Sequence, residues 1–142
     1  MQSPQDNLGF LVNDISRLMR RAFQQKLDGS DLTLAQARTL VYVSRHEGVR
    51  QVDLAELLEI QPITLARLID QLAEAGLVER RADPGDRRAY RLHLTAAAAP
   101  RLAAIRQVAS SVRAHAFAGL DKQQIASLAA ALQKMHDNLA AR

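Results

Sequence analysis

The sequence predicts a mainly helical protein carrying one small β-hairpin, and three observations support that fold class. Ala, the strongest helix former, is abundant across the 142 residues, whereas aromatic residues make up only 4% and β-branched residues are sparse. Apolar residues recur at helical spacing along most of the chain, and only the stretch from Leu77 to Leu94 changes to a period of two. Gly29, Gly48, Gly76 and Gly119 each follow a helix-period segment, where a left-handed residue ends a helix at little cost.

The elements follow in order. Ser3-Pro4 offers an N-cap and a first-turn proline for the opening helix. Leu8, Leu11, Ile15, Leu18 and Ala22 make its apolar stripe, widened by Val12, Met19 and Phe23. Thr33 with Gln36 fits a capping box and opens a helix over 33–47. A short helix over 51–58 and another over 62–75 come next. Leu77–Arg81 and Ala89–Leu94 are expected strands, the second with Tyr90, Leu92 and Leu94 inward. Between them, Asp83-Pro84-Gly85-Asp86 has the type II turn pattern, Pro then Gly at the central positions.

Thr95 is a cap for a helix reaching to about Ala118, striped by Leu102, Ile105, Val108, Val112 and Ala116. Pro100 lies inside that helix and predicts a bend or an irregular first turn. Asp121 with Gln124 opens the last helix through a second capping box. Its seam is Ile125, Leu128, Leu132, Met135 and Leu139. The seams of the first and last helices have no full partner within so short a chain, so they are expected to pair in a dimer. The division that follows is 1–32 and 96–142 for dimerisation, with 33–95 as the central domain. Helix, short helix, helix, hairpin is the order of a winged helix-turn-helix.

Charge narrows the function. Nineteen Lys+Arg against fifteen Asp+Glu give a net charge of +4, and sixteen of the nineteen are Arg. A guanidinium is a planar fork of donors that suits phosphates and guanine edges; a GC-rich genome would raise Arg and Ala in the same way. With no Cys there is no disulfide scaffold, thiolate nucleophile or thiol redox switch. His46, His93, His115 and His136 show no zinc spacing, and no phosphate loop or nucleophile elbow is present. The expectation is no enzyme, no cofactor and no metal, with a metal site built across a dimer left open by the spacing. No apolar run approaches the ~18 residues of a membrane span, and residues 1–20 lack a signal-peptide core. A cytoplasmic protein without membrane contact is expected.

Two elements carry the binding chemistry. Leu54, Ala55 and Leu58 turn inward with Ile60 plugging the turn, and Leu65, Leu68, Ile69 and Leu72 bury the next helix. At 100° per residue, Thr64, Arg67 and Gln71 then share its exposed face. A hydroxyl, a guanidinium fork and an amide are the readers of base edges and phosphates; an ordinary solvated helix face would look similar. Glu59 stands where a tight helix-turn-helix favours Gly, so a longer turn is expected. In the hairpin, five arginines (Arg80, Arg81, Arg87, Arg88, Arg91) crowd around two aspartates, more charge than a solvated edge needs. Guanidiniums at such a tip suit a narrow minor groove. Asp86, acidic beside phosphate, is expected to hold a neighbouring guanidinium.

At these residues the chain resembles the MarR family of transcriptional regulators. The wing run from Asp83 to Thr95, with its Asp-x-Arg step and Leu-Thr, is similar to that family's signature. Leu54-Ala55, Leu65-Ala66-Arg67, Asp70-Gln71-Leu72 and Gly76 to Arg80 match its recognition-helix region in order and spacing. Leu32-Thr33 with Gln36 resembles the start of its second helix. Arg88-Ala89, Arg91, Gln71-Leu72 and Ser3-Pro4 look most like the SlyA-type branch.

The resemblance implies a homodimer joined by its intertwined terminal helices, with Thr64 and Arg67 in the major groove. It implies that Arg87 and Arg88 act at the wing and that Asp86 orients it. It implies a pocket between the dimerisation and DNA-binding regions for small aromatic anions; in a crevice walled by the first, second and fifth helices, Arg17 and Arg38 are the available cations. The expected function is a sequence-specific regulator of double-stranded DNA, a repressor on a pseudo-palindromic operator released by an aromatic acid. A winged helix that docks a partner protein and binds no DNA is the second reading, against which the Arg-rich wing argues.

Overall fold

Two reciprocal caps set where two of the helices begin. Thr33 accepts the Gln36 amide at 3.1 Å while the Gln36 side chain accepts the Thr33 amide at 2.9 Å. Asp121 and Gln124 repeat the exchange at 2.8 and 2.9 Å. In the computed structural model, which describes residues 3–141, the elements are α1 (Leu8–Leu27), α2 (Leu34–Arg45), α3 (Gln51–Leu58), α4 (Pro62–Glu74), β1 (Val78–Asp83), β2 (Asp86–Leu94), α5 (Ala98–Ala116) and α6 (Lys122–Ala140). The fold is the winged helix-turn-helix with flanking helices.

One core holds the middle together. Leu40 and Val43 of α2, Leu54 of α3, Leu65, Ile69 and Leu72 of α4 and Leu92 of β2 are all fully buried. Ala98, Leu102 and Ile105 extend this core along α5, and Leu27 joins it from the end of α1. Thr39, the buried polar residue among them, returns its hydroxyl proton to the Ala35 carbonyl at 2.8 Å. The chain ahead of α3 lies along β2: Gly48 donates to the Leu92 carbonyl and Leu92 to the Val49 carbonyl, both at 2.9 Å. Gly48 holds φ 85° there, a conformation that suits glycine.

The terminal helices are different. In α1, Leu8, Leu11, Val12, Ile15 and Leu18 are exposed, and Phe10 keeps 73% of its surface. In α6 no residue is buried; Leu128, Leu132 and Met135 stay open and Leu139 is 86% exposed. The chain therefore does not close these stripes into a three-helix bundle of its own.

Several local expectations are corrected. Helix α1 begins at Leu8 rather than after Ser3, because Ser3 and Asp6 close their own turn through paired hydrogen bonds of 3.0–3.4 Å. Thr95 does not cap α5; its hydroxyl donates to the Gly76 carbonyl, and the helix starts at Ala98. Pro100 then falls in the first turn, where the N–H it lacks would have had no intrahelical acceptor, so it forces no bend within the helix. The irregularity sits just before, in the turn at Ala96-Ala97.

The turn between α3 and α4 is not lengthened. Glu59 adopts the left-handed conformation itself, at φ 55° and ψ 44°. An L-residue there costs roughly 1–2 kcal/mol, partly offset in a Gly variant by the extra unfolded-state freedom of glycine. Glu59→Gly is expected to raise stability by about 1 kcal/mol, measured by urea denaturation; a loss of stability would show that the Glu59 side chain contributes there.

Candidate nucleic-acid interface

Helix α4 presents its polar face as its periodicity requires. Thr64, Arg67 and Gln71 are all exposed, with Leu65, Ile69 and Leu72 buried behind them and Leu68 half-buried. Arg67 has no side-chain partner among the described residues. Gln71 does: its carbonyl oxygen accepts from the Gln36 amide at 2.8 Å, tying it to the start of α2. Ile63 stands on the same exposed face, beside Thr64.

The hairpin is longer and more irregular than its sequence suggests. Its strands close on a two-residue loop, Pro84-Gly85, with Asp83 paired to Asp86. Gly85 does not have a positive φ, so the turn is not type II. Asp83 accounts for that, because its carboxylate accepts the Gly85 N–H at 3.0 Å and draws the loop into an Asx turn. The next pair is Ala82 with Tyr90, so Arg87, Arg88 and Ala89 have no partner on β1 and bulge from β2. A bulge of this kind re-aims side chains. Tyr90, where an inward residue was expected, is 49% exposed; Leu92 is buried and Leu94 half-buried.

The five arginines divide into two groups. Arg80 is a staple: it reaches Asp70 at 2.7 Å, Gln51 at 2.9 Å and the Ala66 carbonyl at 3.1 Å. Arg81 pairs with Glu79. Arg91 approaches Asp83 at 3.5 Å and donates to the Gly48 carbonyl at 3.0 Å. Arg87 and Arg88, in the bulge, have no side-chain partner among the described residues. On α4 and the hairpin, those two and Arg67 are the cations left for a ligand.

Asp86 does not hold either wing guanidinium. One oxygen accepts the Arg88 backbone N–H at 2.9 Å, and the other lies 3.5 Å from the guanidinium of Arg50. Arg50 went unnoticed in sequence because it is 36 residues away, at the start of α3, with no motif around it. Asp83, its side chain 9% exposed, lies 3.2 Å from the Arg50 Nε. The Gly85 amide, then the Arg91 and Arg50 guanidiniums, hold the Asp83 carboxyl below its usual range against the opposing effect of burial. A lowered folded pKa lends stability that is fully present above the unfolded value, 3.8, and is lost as pH falls through the folded value. Hairpin amide protection is expected to fall below about pH 4, and Asp83→Asn to remove that acid-specific loss.

A concavity lies between α1, α2 and α5. It measures about 440 Å³ and is lined by Met19, Phe23, Leu34, Ala37, Val41, Ile105 and Val112, with Arg20, Arg38 and Arg113 at its walls. Arg17 is not part of it. It lies one position round the helix from Ser16, and it faces Asp14 at 3.8 Å on the open surface. Arg38 stacks over Tyr42, 5.4 Å from the ring centre. Among the described residues no group of three or more His, Asp or Glu is placed to hold a metal, and no helix is long and apolar enough to cross a membrane.

A family model described as MarR family matches residues 30–89. A MarR transcriptional regulator from Methanosarcina mazei Go1 is 26% identical over 94% of this chain and 96% of its own, with a TM-score of 0.85. Wild-type MarR from E. coli in its apo form is 25% identical over 95% and 98%, at 0.82. A mutant of that E. coli protein complexed with operator DNA is 26% identical over 90% and 92%, at 0.75. The winged-helix segment thus matches the MarR family model, and the chain as a whole is similar in fold to solved MarR transcriptional regulators.

Proposed function

We propose that the protein is a homodimeric regulator that binds double-stranded DNA by sequence, with α4 in the major groove and the hairpin over the adjoining minor groove. The observation that supports this best is the division of the arginines. Arg80, Arg81 and Arg91 are neutralised within the chain, while Arg67, Arg87 and Arg88 stand unpaired on two neighbouring elements. In this reading Thr64 and Arg67 read or position, Gln71 contributes through its link to α2, and Arg87 and Arg88 meet the wing's groove. Residues 33–95 form the reading unit, and 1–32 with 96–142 form the dimer. Repression from a pseudo-palindromic operator in the cytoplasm follows from such occupancy. Arg88-Ala89 with Arg91 and Gln71-Leu72 support a place in the SlyA-type branch.

Selection of bound sequences from random duplex DNA tests this. An enriched inverted repeat, bound with an affinity that falls steeply with salt, is the expected result. Absence of duplex binding at low salt would favour the reading of a protein-docking module.

The crevice of about 440 Å³ is of the size that holds a small ligand, and its apolar floor with arginines suits an aromatic carboxylate. Such a ligand releases DNA only if it binds better to the form that does not fit the operator. Titrating the complex with salicylate-like acids is expected to release DNA, and Arg38→Ala or Arg113→Ala to raise the concentration needed. No release at millimolar acid would remove the effector from this reading.

A further inference from the structure

Arg50 is an unusual residue to find at the start of a helix. It is the N-cap of α3 and makes no side-chain cap, in a position where Ser, Thr, Asp or Asn would satisfy an orphan amide. Its positive charge also meets the positive end of the α3 dipole, an unfavourable pairing. Two carboxylates of the hairpin offset this: Nε lies 3.2 Å from Asp83 and Nη2 3.5 Å from Asp86. The Nε is buried and makes no well-angled hydrogen bond, so its attraction to Asp83 is coulombic. The backbone of Arg50 meanwhile bridges to Arg91, whose guanidinium takes the other oxygen of Asp83. One side chain from α3 thus grips both residues that flank the Pro84-Gly85 loop.

We propose that Arg50 is a wing-positioning residue, a clamp from α3 onto Asp83 and Asp86 that holds the hairpin bulge so that Arg87 and Arg88 project toward DNA. The bulge is the part of the hairpin that most needs such a hold, since Arg87, Arg88 and Ala89 have no partners on β1. Without the clamp, two carboxylates would sit close together at the tip, and the unpaired arginines would fall back on them. The clamp keeps these carboxylates occupied. Its role in binding rests on the DNA-binding reading above; its role in holding the hairpin does not.

The test uses the full chain with Arg50→Ala, Arg50→Lys, Asp83→Asn, Arg88→Ala and the double variant Arg50→Ala with Arg88→Ala. Hydrogen exchange of the hairpin amides in the free protein reads the hold. Affinity for the selected duplex across a salt series reads the consequence. Arg50→Ala and Asp83→Asn are expected to lower protection at residues 86–89 on the order of tenfold with the global melting transition retained, and Arg50→Lys to restore part of it. Operator affinity is expected to fall on the order of tenfold in Arg50→Ala but to fall little further in the double variant than in Arg88→Ala alone. Unchanged hairpin protection in both Arg50→Ala and Asp83→Asn would overturn the clamp. So would an additive loss in the double variant with about one unit less salt slope in Arg50→Ala, which would make Arg50 a phosphate contact in its own right. If the wild-type protein selects no duplex, the DNA-binding reading fails, and the exchange measurement still decides the clamp.

Discussion

Removal of residues 121–142 is expected to leave a chain that unfolds, rather than a folded monomer with weakened DNA binding. Helix α6 buries none of its residues within its own chain, and an isolated helix of that length is marginal in water. Its seam of Ile125, Leu128, Leu132 and Met135 can be covered only from outside, and α1 has the same need at Leu8, Leu11 and Ile15. Fully burying such a side chain contributes about 1.5–3 kcal/mol, so seven half-exposed ones per protomer amount to a large part of the ~5–15 kcal/mol that holds a domain together. A closed twofold dimer is the common solution. Unfolding of the intact protein is then expected to shift to higher temperature with protein concentration. A folded monomer in sedimentation at micromolar concentration would overturn the dimer.

The second large effect separates the two elements proposed to read DNA. Arg67→Ala is expected to weaken operator binding by about 1–3 kcal/mol and to redistribute preference among operator variants, as loss of a base contact does. Arg87→Ala and Arg88→Ala are expected to weaken all operators more evenly and to reduce the salt slope by about one unit each. The minor groove offers them chiefly width and an A·T-versus-G·C pattern. Gln71→Ala should matter less than Arg67→Ala, because its side-chain oxygen is already engaged by Gln36. In a dimer each substitution acts twice, and half-sites about one helical turn apart are expected. If both wing variants leave affinity and salt slope unchanged, the hairpin is a capped turn and the protein-docking reading moves ahead.

Much of this architecture was legible in the chain. The capping boxes at Thr33 and Asp121 act within three residues, so the starts of α2 and α6 could be read directly. Apolar spacing likewise placed Leu65, Ile69 and Leu72 inward and Thr64 and Arg67 outward, because a helix converts spacing into direction without outside help. Where a residue had a choice of partners, local pattern failed. Thr95 could cap α5 or bond Gly76, and the packing of the hairpin against the end of α4 decided for Gly76. Asp83 could begin a type II turn or capture the Gly85 amide, and it captured the amide.

The charged site shows the same boundary most clearly. Composition and spacing determined that arginines would crowd the hairpin and that a winged helix would carry them. Which arginines remain free was decided only in three dimensions, where Asp70, Glu79 and Asp83 neutralise Arg80, Arg81 and Arg91 and leave Arg87 and Arg88 unpaired on an unexpected bulge. The partner of Asp86 also came from the fold, since Arg50 is brought to it by the strand-like run of 48–50 along β2. Periodicity and capping depend on neighbours a turn away and are written along the chain. Ion pairing depends on distance in space, and that is set only once the core has closed.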